Sequence, residues 1–445
     1  MPFTTQYLAE WIAGISPGDI PKTAKAAAKR CLLDLMGAAV AGHVTPLAEI
    51  TRNVAQTLFA PGPCSIWFSS ARRQAPGAAL ANSAAASALD IDDGNRAGGG
   101  HPGAAVIPSA LAVASETGAD GEELLTAMII GYEIGVRISA ARDFAKQVTL
   151  STGRWCAYAA AAAGGRLYGM PPEQLAQALA IAGIQSPDQA AAAYSAIEGN
   201  HVKEGIPWAT MTGLTALMLA REGFSGPMDI LDHPDFYDAR KIRPFLNGQF
   251  AIEETYIKPY ACCRWIHSAL DAFFDLQQEN HFSVSDIHAV QVETFDRARG
   301  LSNDPAPDSL EAAQYSLPFC LAVAALENRS ALLPLSNAFL GRPDLEAFAR
   351  KISIRTDPAL DRCFPQKAAA RVILKTGRGH FEKMRLSPLG DPDHPMDPDQ
   401  LREKFNVLTR DHLSAEQQQK IFAAVRDIEQ KGVAELLRWL SPVNA

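Results

Sequence analysis

The sequence predicts a mainly α fold, with a large all-helical domain and a smaller inserted α+β domain. Through about residue 255, apolar residues recur at helical spacing, with almost no period-two alternation. Later, Val290, Val292 and Thr294 alternate with polar residues, and Gly377-Arg378-Gly379 separates two strand-like runs. A hydrophobic content of 47% and a charged content of 20% are typical of a globular protein with ample core.

The helices of the first part follow one another closely. Residues Lys22 to Gly42 form an amphipathic helix whose apolar face includes Leu32 and Leu35. Pro172 is placed to start another helix, since proline is favoured at the first helical position. Further helices are predicted over 78–89, 104–115, 121–142, 153–168, 172–182 and 210–221.

The later part combines strands and helices. A strand over 290–294, a helix near 315–326 and a hairpin over 371–386 form the predicted α+β unit. From residue 397 the pattern is helical again, and these helices resemble the first domain in composition. We therefore expect a discontinuous helical domain from residues 1–256 and 395–445, with 257–394 as the second domain.

Composition excludes several classes of function. The net charge of −8 argues against a nucleic-acid partner, because phosphate binding needs a positive surface. The seven cysteines include no CxxC pair, so neither a disulfide framework nor a zinc site is predicted. No run approaches the roughly 20 apolar residues of a membrane helix, and the first residues lack signal-peptide features. The expected location is cytoplasmic.

The segment from Tyr256 to His267 contains three basic side chains, a lysine, an arginine and a histidine, in a protein that is otherwise net acidic. Lys258 precedes a proline and is therefore expected in an extended backbone. Arg264 and His267 are three residues apart, on one face of a predicted helix. Together they could bind a small dianion. The alternative is a boundary helix with solvated charges and a core histidine.

A second candidate site combines Asp90, Asp92 and Asp93 with His101, around a glycine-rich loop. These groups could bind a metal ion, or an aspartate could orient the imidazole for acid–base catalysis. The alternative is a helix end followed by a flexible turn. The glycines do not form a dinucleotide-binding motif, because no strand precedes them and the spacing differs from GxGxxG.

Two further cations stand at helix entrances. Lys203, in Asn200-His-Val-Lys-Glu-Gly205, precedes an apolar helix, and Arg154 follows Ser151-Thr152-Gly153 in the same way. Backbone N–H groups at a helix start, together with an arginine, can bind an anion. Each could equally be a solvated surface charge.

Taken together, these strings resemble the MmgE/PrpD family over nearly the whole chain. The specific matches are Asp90-x-Asp-Asp, His101-Pro-Gly-Ala-Ala-Val-Ile-Pro108, Gly131-Tyr-Glu133 and Lys258-Pro-Tyr-x-Cys-Cys-Arg-x-x-His267. The resemblance implies a helical domain with an α+β lid, a homodimer, and a site between the domains. In the decarboxylase and epimerase branches, this site needs no metal or organic cofactor. The resemblance also places four residues in that site: Asp90, His101, Lys203 and Lys258.

Three positions depart from the family pattern. Gly94 replaces a common threonine, Leu150 replaces a common histidine, and Arg154 replaces a small residue. Fewer proton donors and one more cation make the chain most similar to the iminodisuccinate epimerase branch. The expected reaction is inversion of a carbon α to a carboxylate in a small di- or tricarboxylate. The alternatives are a 2-methylcitrate dehydratase or cis-aconitate decarboxylase type of lyase, and a non-catalytic helical scaffold.

The epimerase hypothesis assigns roles to the candidate residues. Lys258 and His101 exchange protons on opposite faces of the substrate, and Asp90 orients His101. Neighbouring cations are expected to lower the pKa of Lys258. The substrate carboxylates are expected to contact cationic and polar side chains, namely Arg154, Lys203, Arg264 and His267.

Overall fold

The computed structural model describes residues 2–147, 150–187, 200–243 and 249–441. The chain is mainly α with one small sheet domain, as the sequence predicts. The longer helices of the first part are Thr4–Gly14, Lys22–Gly42, Pro46–Leu58, Ala75–Ser87, Gly103–Thr117, Gly121–Ala140, Cys156–Leu167, Pro172–Gln185 and Ile206–Arg221.

Small residues determine how these helices pack. The helix Ile206–Arg221 crosses Cys156–Leu167 so closely that a Cβ on Gly213 would lie 2.4 Å from the carbonyl oxygen of Ala157. The alanines along both helices are fully buried, including Ala160, Ala161 and Ala209. Close backbone approach of this kind explains why the first domain is rich in alanine and glycine rather than in large apolar side chains.

The second region contains a four-stranded sheet in the order Ile352–Thr356, Ile287–Thr294, Ala370–Thr376 and Gly379–Arg385. The first pair is parallel and the other two are antiparallel. The predicted hairpin is confirmed, because Thr376 pairs with Gly379 across the turn. The helix His267–Asn280 packs against the sheet and against the buried helix Leu317–Leu326.

The C-terminal helices contact the first helices of the chain. They are Pro398–Thr409, Ala415–Arg426, Ile428–Lys431 and Val433–Trp439. Pro398–Thr409 packs along Lys22–Gly42, where a Cβ on Gly37 would lie 3.4 Å from the side chains of Phe405 and Leu408. Within the described ranges, no single helix is long and apolar enough to cross a membrane, although Lys22–Gly42 and Pro46–Leu58, bent by 93°, pass that test as a pair.

Candidate active site

A buried loop after the helix Ala75–Ser87 carries the acidic residues. Asp90 adopts a left-handed conformation with φ of 51°, which is unusual for a residue with a side chain. Asp90, Asp92 and Asp93 are each 3% exposed or less. Burying three carboxyl groups in one loop requires compensation by cations or hydrogen bonds.

A short strand pair brings this loop to the lysine of the second region. Gly94–Asn95 pairs antiparallel with Thr255–Tyr256, two residues before Lys258. A Cβ on Gly94 would lie 2.3 Å from the Tyr256 hydroxyl oxygen. The tyrosine ring therefore occupies the space that a threonine would need, which gives a physical reason for glycine at this position.

Three cationic side chains surround the carboxylate of Asp90. Lys258 Nζ lies 2.8 Å from Oδ2, Lys203 Nζ lies 3.5 Å from Oδ1, and His101 Nε2 lies 3.6 Å from Oδ1. Lys258 is fully buried, Lys203 is 3% exposed and His101 is 7% exposed. Together with Asp92 they form what we call the Asp90 cluster.

Asp92 and the backbone orient His101 more closely than Asp90 does. His101 Nδ1 lies 2.8 Å from the carbonyl oxygen of Asp93, to which it donates, and 3.3 Å from Asp92 Oδ2. Burial lowers the pKa of His101, but Asp92 outweighs it and raises the pKa to about 9. The imidazole is therefore protonated at neutral pH, with Nε2 facing Asp90. The sequence had assigned this orienting role to Asp90 alone.

The expected direction of the Lys258 pKa shift was wrong. Burial acts to lower the pKa of Lys258, but the negative charges of Asp90 and Asp92 raise it above its usual value. Conversely, burial acts to raise the pKa of Asp90, but Lys258, Lys203 and His101 hold it well below its usual range. The sequence correctly suggested nearby cations but gave no sign that two carboxylates would face this lysine directly.

Lys203 is held by a residue that the sequence analysis missed. Its Nζ donates to Gln314 Oε1 at 3.0 Å and lies 5.5 Å from the centre of the Tyr315 ring. Gln314 also donates to the carbonyl oxygen of Ala88, next to the acidic loop. An isolated glutamine at the end of a short helix, Leu310–Gln314, carries no motif that would have marked it.

A second group of charges, which we call the Asp391 cluster, lies around Tyr256. Asp391 accepts from Arg264 Nη2 at 2.6 Å and from Arg96 Nε at 2.9 Å. The guanidinium groups of Arg264 and Arg96 lie 4.7 and 5.7 Å from the centre of the Tyr256 ring. The sequence analysis missed Arg96 and Asp391, since their pairing spans almost three hundred positions.

His267 completes the Asp391 cluster without facing open space. Its Nδ1 accepts from Arg264 Nη1 at 2.9 Å, and its Nε2 donates to the carbonyl oxygen of Cys262 at 3.0 Å. Burial and the neighbouring Arg264 hold the pKa of His267 well below its usual value. The structure thus places a neutral imidazole behind Arg264, fixing the arginine in position.

A cavity of about 80 Å³ lies between the two clusters. Its lining includes His101 from one cluster and Arg96, Tyr256 and Arg264 from the other. It also includes Leu150, at one of the positions that departs from the family pattern. A wider cavity of about 1110 Å³ adjoins it and shares Asn95, Arg96, Phe144 and Pro365. A small anion entering from the wider cavity would meet arginine first and the imidazolium next.

Arg154 lies apart from this constellation. Its Nη1 donates to Gln147 Oε1 at 2.8 Å, and it is absent from the described residues that line the small cavity. The preceding residues are better placed, because Thr152 Oγ1 accepts from the backbone N–H of His101 at 3.0 Å. The structure therefore brings Asp90, His101, Lys203 and Lys258 together, and His101 of this group lines the small cavity with Arg264.

The donor atoms of Asp90, Asp92 and His101 lie within 4.8 Å of one another, a spacing that a metal ion could bridge. However, Asp90 already contacts two ammonium groups. His101 Nδ1 is engaged by a backbone carbonyl. A dication would have to compete with these protein cations, so the donor set fits an ion-paired acid–base cluster better than a metal centre.

Comparisons with known proteins agree with this architecture. Residues 6–240 match the MmgE/PrpD N-terminal domain, and residues 260–430 match the MmgE/PrpD C-terminal domain. The chain belongs to the MmgE/PrpD family. The interval between the two matches contains Lys258, close to the strand pair that joins Gly94–Asn95 to Thr255–Tyr256.

Two curated relatives indicate that the chain is an enzyme. The chain is 26% identical over 441 residues to the cis-aconitate decarboxylase of Aspergillus terreus, covering 91% of this chain and 89% of the relative. It is 23% identical over 472 residues to the cis-aconitate decarboxylase-like protein oryM of Aspergillus oryzae, covering 98% and 97%. Both relatives align over nearly their full length.

Proposed function

We propose that this chain is a cofactor-independent lyase that decarboxylates a small unsaturated tricarboxylate of the cis-aconitate type. The observation that carries the proposal is that His101 contacts Asp92 at 3.3 Å and Lys258 contacts Asp90 at 2.8 Å. His101 and Lys258 both contact carboxylates that hold them protonated. A site in this state is prepared to give a proton to a carbanion rather than to remove one from carbon.

Decarboxylation needs such a donor. The bond between the carboxymethyl carbon and its carboxylate breaks, and CO₂ leaves. The freed electron pair forms a new C=C bond, and the pair of the original C=C bond accepts a proton at its far carbon. His101, whose imidazolium lines the cavity, supplies that proton and regains one from water. The charges of Lys258 and Lys203 stabilise the negative charge that develops beside His101.

The remaining substrate carboxylates would meet the Asp391 cluster. Arg264 is 3% exposed and lines the cavity, and Nε is a buried atom with no hydrogen-bond partner. Arg96 lines both cavities. Guanidinium groups bind carboxylates in a fixed planar geometry and keep their protons at any physiological pH. These residues are therefore suited to holding the substrate rather than to reacting with it.

Epimerisation is the second candidate, and Leu150 is the observation that favours it. Leu150 lines the cavity at a position where histidine is common in the family resemblance, so this cavity has one proton donor fewer. An epimerase must first remove a proton from carbon, which requires a base in its unprotonated form. The contacts of His101 and Lys258 with Asp92 and Asp90 oppose that requirement.

A non-catalytic scaffold is not supported by the position of Lys258. A docking surface for an acidic partner would leave its lysine in solvent, whereas this lysine is 0% exposed and paired with Asp90. His101 from one cluster and Arg96 and Arg264 from the other line a cavity rather than an outer surface.

Proton NMR in D₂O with cis-aconitate, and with a panel of di- and tricarboxylates, tests the proposal. We expect loss of substrate, release of CO₂ and an alkene product carrying one deuterium. His101→Gln should lower kcat by on the order of a hundredfold to ten-thousandfold, because the general acid is lost. The matched control is His288→Gln, since His288 is an exposed histidine on the sheet.

Two results would overturn the decarboxylase proposal. Deuterium entering a substrate without net consumption would establish the epimerase instead. Full activity of the His101→Gln variant would remove His101 as the proton donor.

A further inference from the structure

A buried lysine on the C-terminal helix contacts the acidic loop from behind. Lys404 is 2% exposed and lies on the helix Pro398–Thr409. Its Nζ lies 2.5 Å from Asp34 Oδ1 and donates to the carbonyl oxygen of Ile91 at 2.8 Å. Ile91 is the residue between Asp90 and Asp92, so this bond holds the loop between the two carboxylates that contact His101.

We propose that Lys404, held by Asp34, is a positioning residue for the Asp90 cluster. This inference rests on the proposed acid–base function of that cluster. Lys404 is absent from the described residues that line either cavity, so it acts through the Ile91 carbonyl rather than on substrate. Removing its hydrogen bond frees a loop that already contains one left-handed residue, Asp90.

The ion pair between Asp34 and Lys404 links two packed helices behind the acidic loop. Asp34 lies on the long helix Lys22–Gly42, which packs along the Lys404 helix. Both side chains of the pair are buried, with 1% or less of each exposed. Burial raises the pKa of Asp34 and lowers that of Lys404, and the charges of Asp92 and Lys258 also act on both groups. The pair and the Asp90 cluster thus form one connected buried network.

The position of the acidic loop determines the orientation and the charge of the His101 imidazole. Asp92 Oδ2 must stay 3.3 Å from His101 Nδ1, and the Asp93 carbonyl must stay 2.8 Å away, to keep the imidazole charged and oriented. A loop displaced from Lys404 would relax both contacts. The proton donor would then be lost although His101 itself is intact.

The test compares Lys404→Met with Asp34→Asn, followed by ¹³C NMR of labelled histidine and by steady-state kinetics. Lys404→Met loses the bond to Ile91, whereas Asp34→Asn keeps it. We expect Lys404→Met to lower the pKa of His101 toward about 6.5, the usual value, and to lower kcat at least tenfold with KM nearly unchanged. Asp34→Asn should retain most of both properties.

Lys29→Met is the matched control. Lys29 forms an ion pair with Glu429 at 2.5 Å, which also joins the helix Lys22–Gly42 to the C-terminal segment. No hydrogen bond or ion pair of this pair reaches the acidic loop among the described residues. We expect Lys29→Met to change thermal stability without moving the His101 pKa or kcat.

Several outcomes would overturn the positioning role. If Lys404→Met and Asp34→Asn lower stability equally and leave the His101 pKa unchanged, Lys404 is only structural. If Lys404→Met does not fold, Lys404→Arg serves in its place, because the longer side chain keeps the charge but moves the donor away from the Ile91 carbonyl. An unchanged His101 pKa and an unchanged kcat in that variant would reject the proposal. The NMR measurement needs no substrate, so its result is independent of whether the decarboxylase proposal holds.

Discussion

The two charged clusters at the domain junction differ in the kind of cation they contain. In the Asp90 cluster, the carboxylates face two lysines and a histidine, all of which can release a proton. In the Asp391 cluster, the carboxylate faces two arginines, which keep their protons in proteins. The first arrangement can therefore perform acid–base chemistry, and the second can only bind and orient an anion.

The difference extends to the two histidines. His101 contacts Asp92 and is held charged, with a pKa of about 9. His267 contacts Arg264 and is held neutral, with its pKa well below the usual value. Both were predicted as site residues from the same kind of pattern, a histidine near other polar groups. The two histidines differ in the charge of the nearest side chain. Asp92 next to His101 favours a proton donor, whereas Arg264 next to His267 favours a neutral imidazole that supports the arginine.

Apart from the loss of His101 itself, the largest expected effect comes from Lys258→Met, which removes the closest cation from Asp90. We expect kcat to fall on the order of a hundredfold to a thousandfold, because a preorganised charge that stabilises the transition state is lost. Steady-state kinetics and circular dichroism together measure this change. Lys375→Met, at an exposed position on the sheet, is the control. Near-normal kcat in a folded Lys258→Met variant would contradict the role of the Asp90 cluster.

Asp92→Asn should shift the pH dependence of the reaction. A general acid works when protonated, so kcat/KM should fall as pH rises through about 9 in the parent chain. Removing the charge of Asp92 should move this alkaline limb toward about 6.5. The folded pKa of His101 exceeds the unfolded value, so its stabilising contribution is full below about 6.5 and lost as pH rises through about 9. An alkaline limb that does not move would show that another group donates the proton.

The smallest effects are expected at the arginines. Arg96→Gln should raise KM on the order of tenfold with little change in kcat, because a carboxylate contact binds ground state and transition state alike. Arg154→Ala should raise KM by less, since Arg154 contacts Gln147 and is not among the described residues lining the small cavity. A larger effect at Arg154 than at Arg96 would reverse this assignment and restore the carboxylate-binding role expected from the sequence.

The sequence predicted most of the fold because the signals were local. The helix Lys22–Gly42 has the predicted bounds, since its apolar periodicity is regular. The hairpin around Gly377 was visible from its turn residues and flanking alternation. The helix ends were predicted less accurately. The helix Ala75–Ser87, for example, begins three residues earlier than predicted.

The site was only partly visible in the sequence because its decisive contacts are distant along the chain. Asp90, His101, Lys203 and Lys258 belonged to recognisable strings, whereas Gln314, Asp391 and Lys404 did not. Their pairings with Lys203, Arg264 and Ile91 span more than one hundred positions each. The pKa of Lys258 was misjudged for the same reason, because its sign depends on which charge lies nearest in space.

Titration of His101 in the unmodified chain by ¹³C NMR of labelled histidine tests most directly whether this imidazole is the proton donor. Assignment follows from the signal that disappears in His101→Gln. We expect an imidazole that stays charged through neutral pH and titrates near pH 9. Titration at about pH 6.5 or below would mean a neutral imidazole at working pH. That result would contradict the proton-donor site and favour a base-first reaction such as epimerisation.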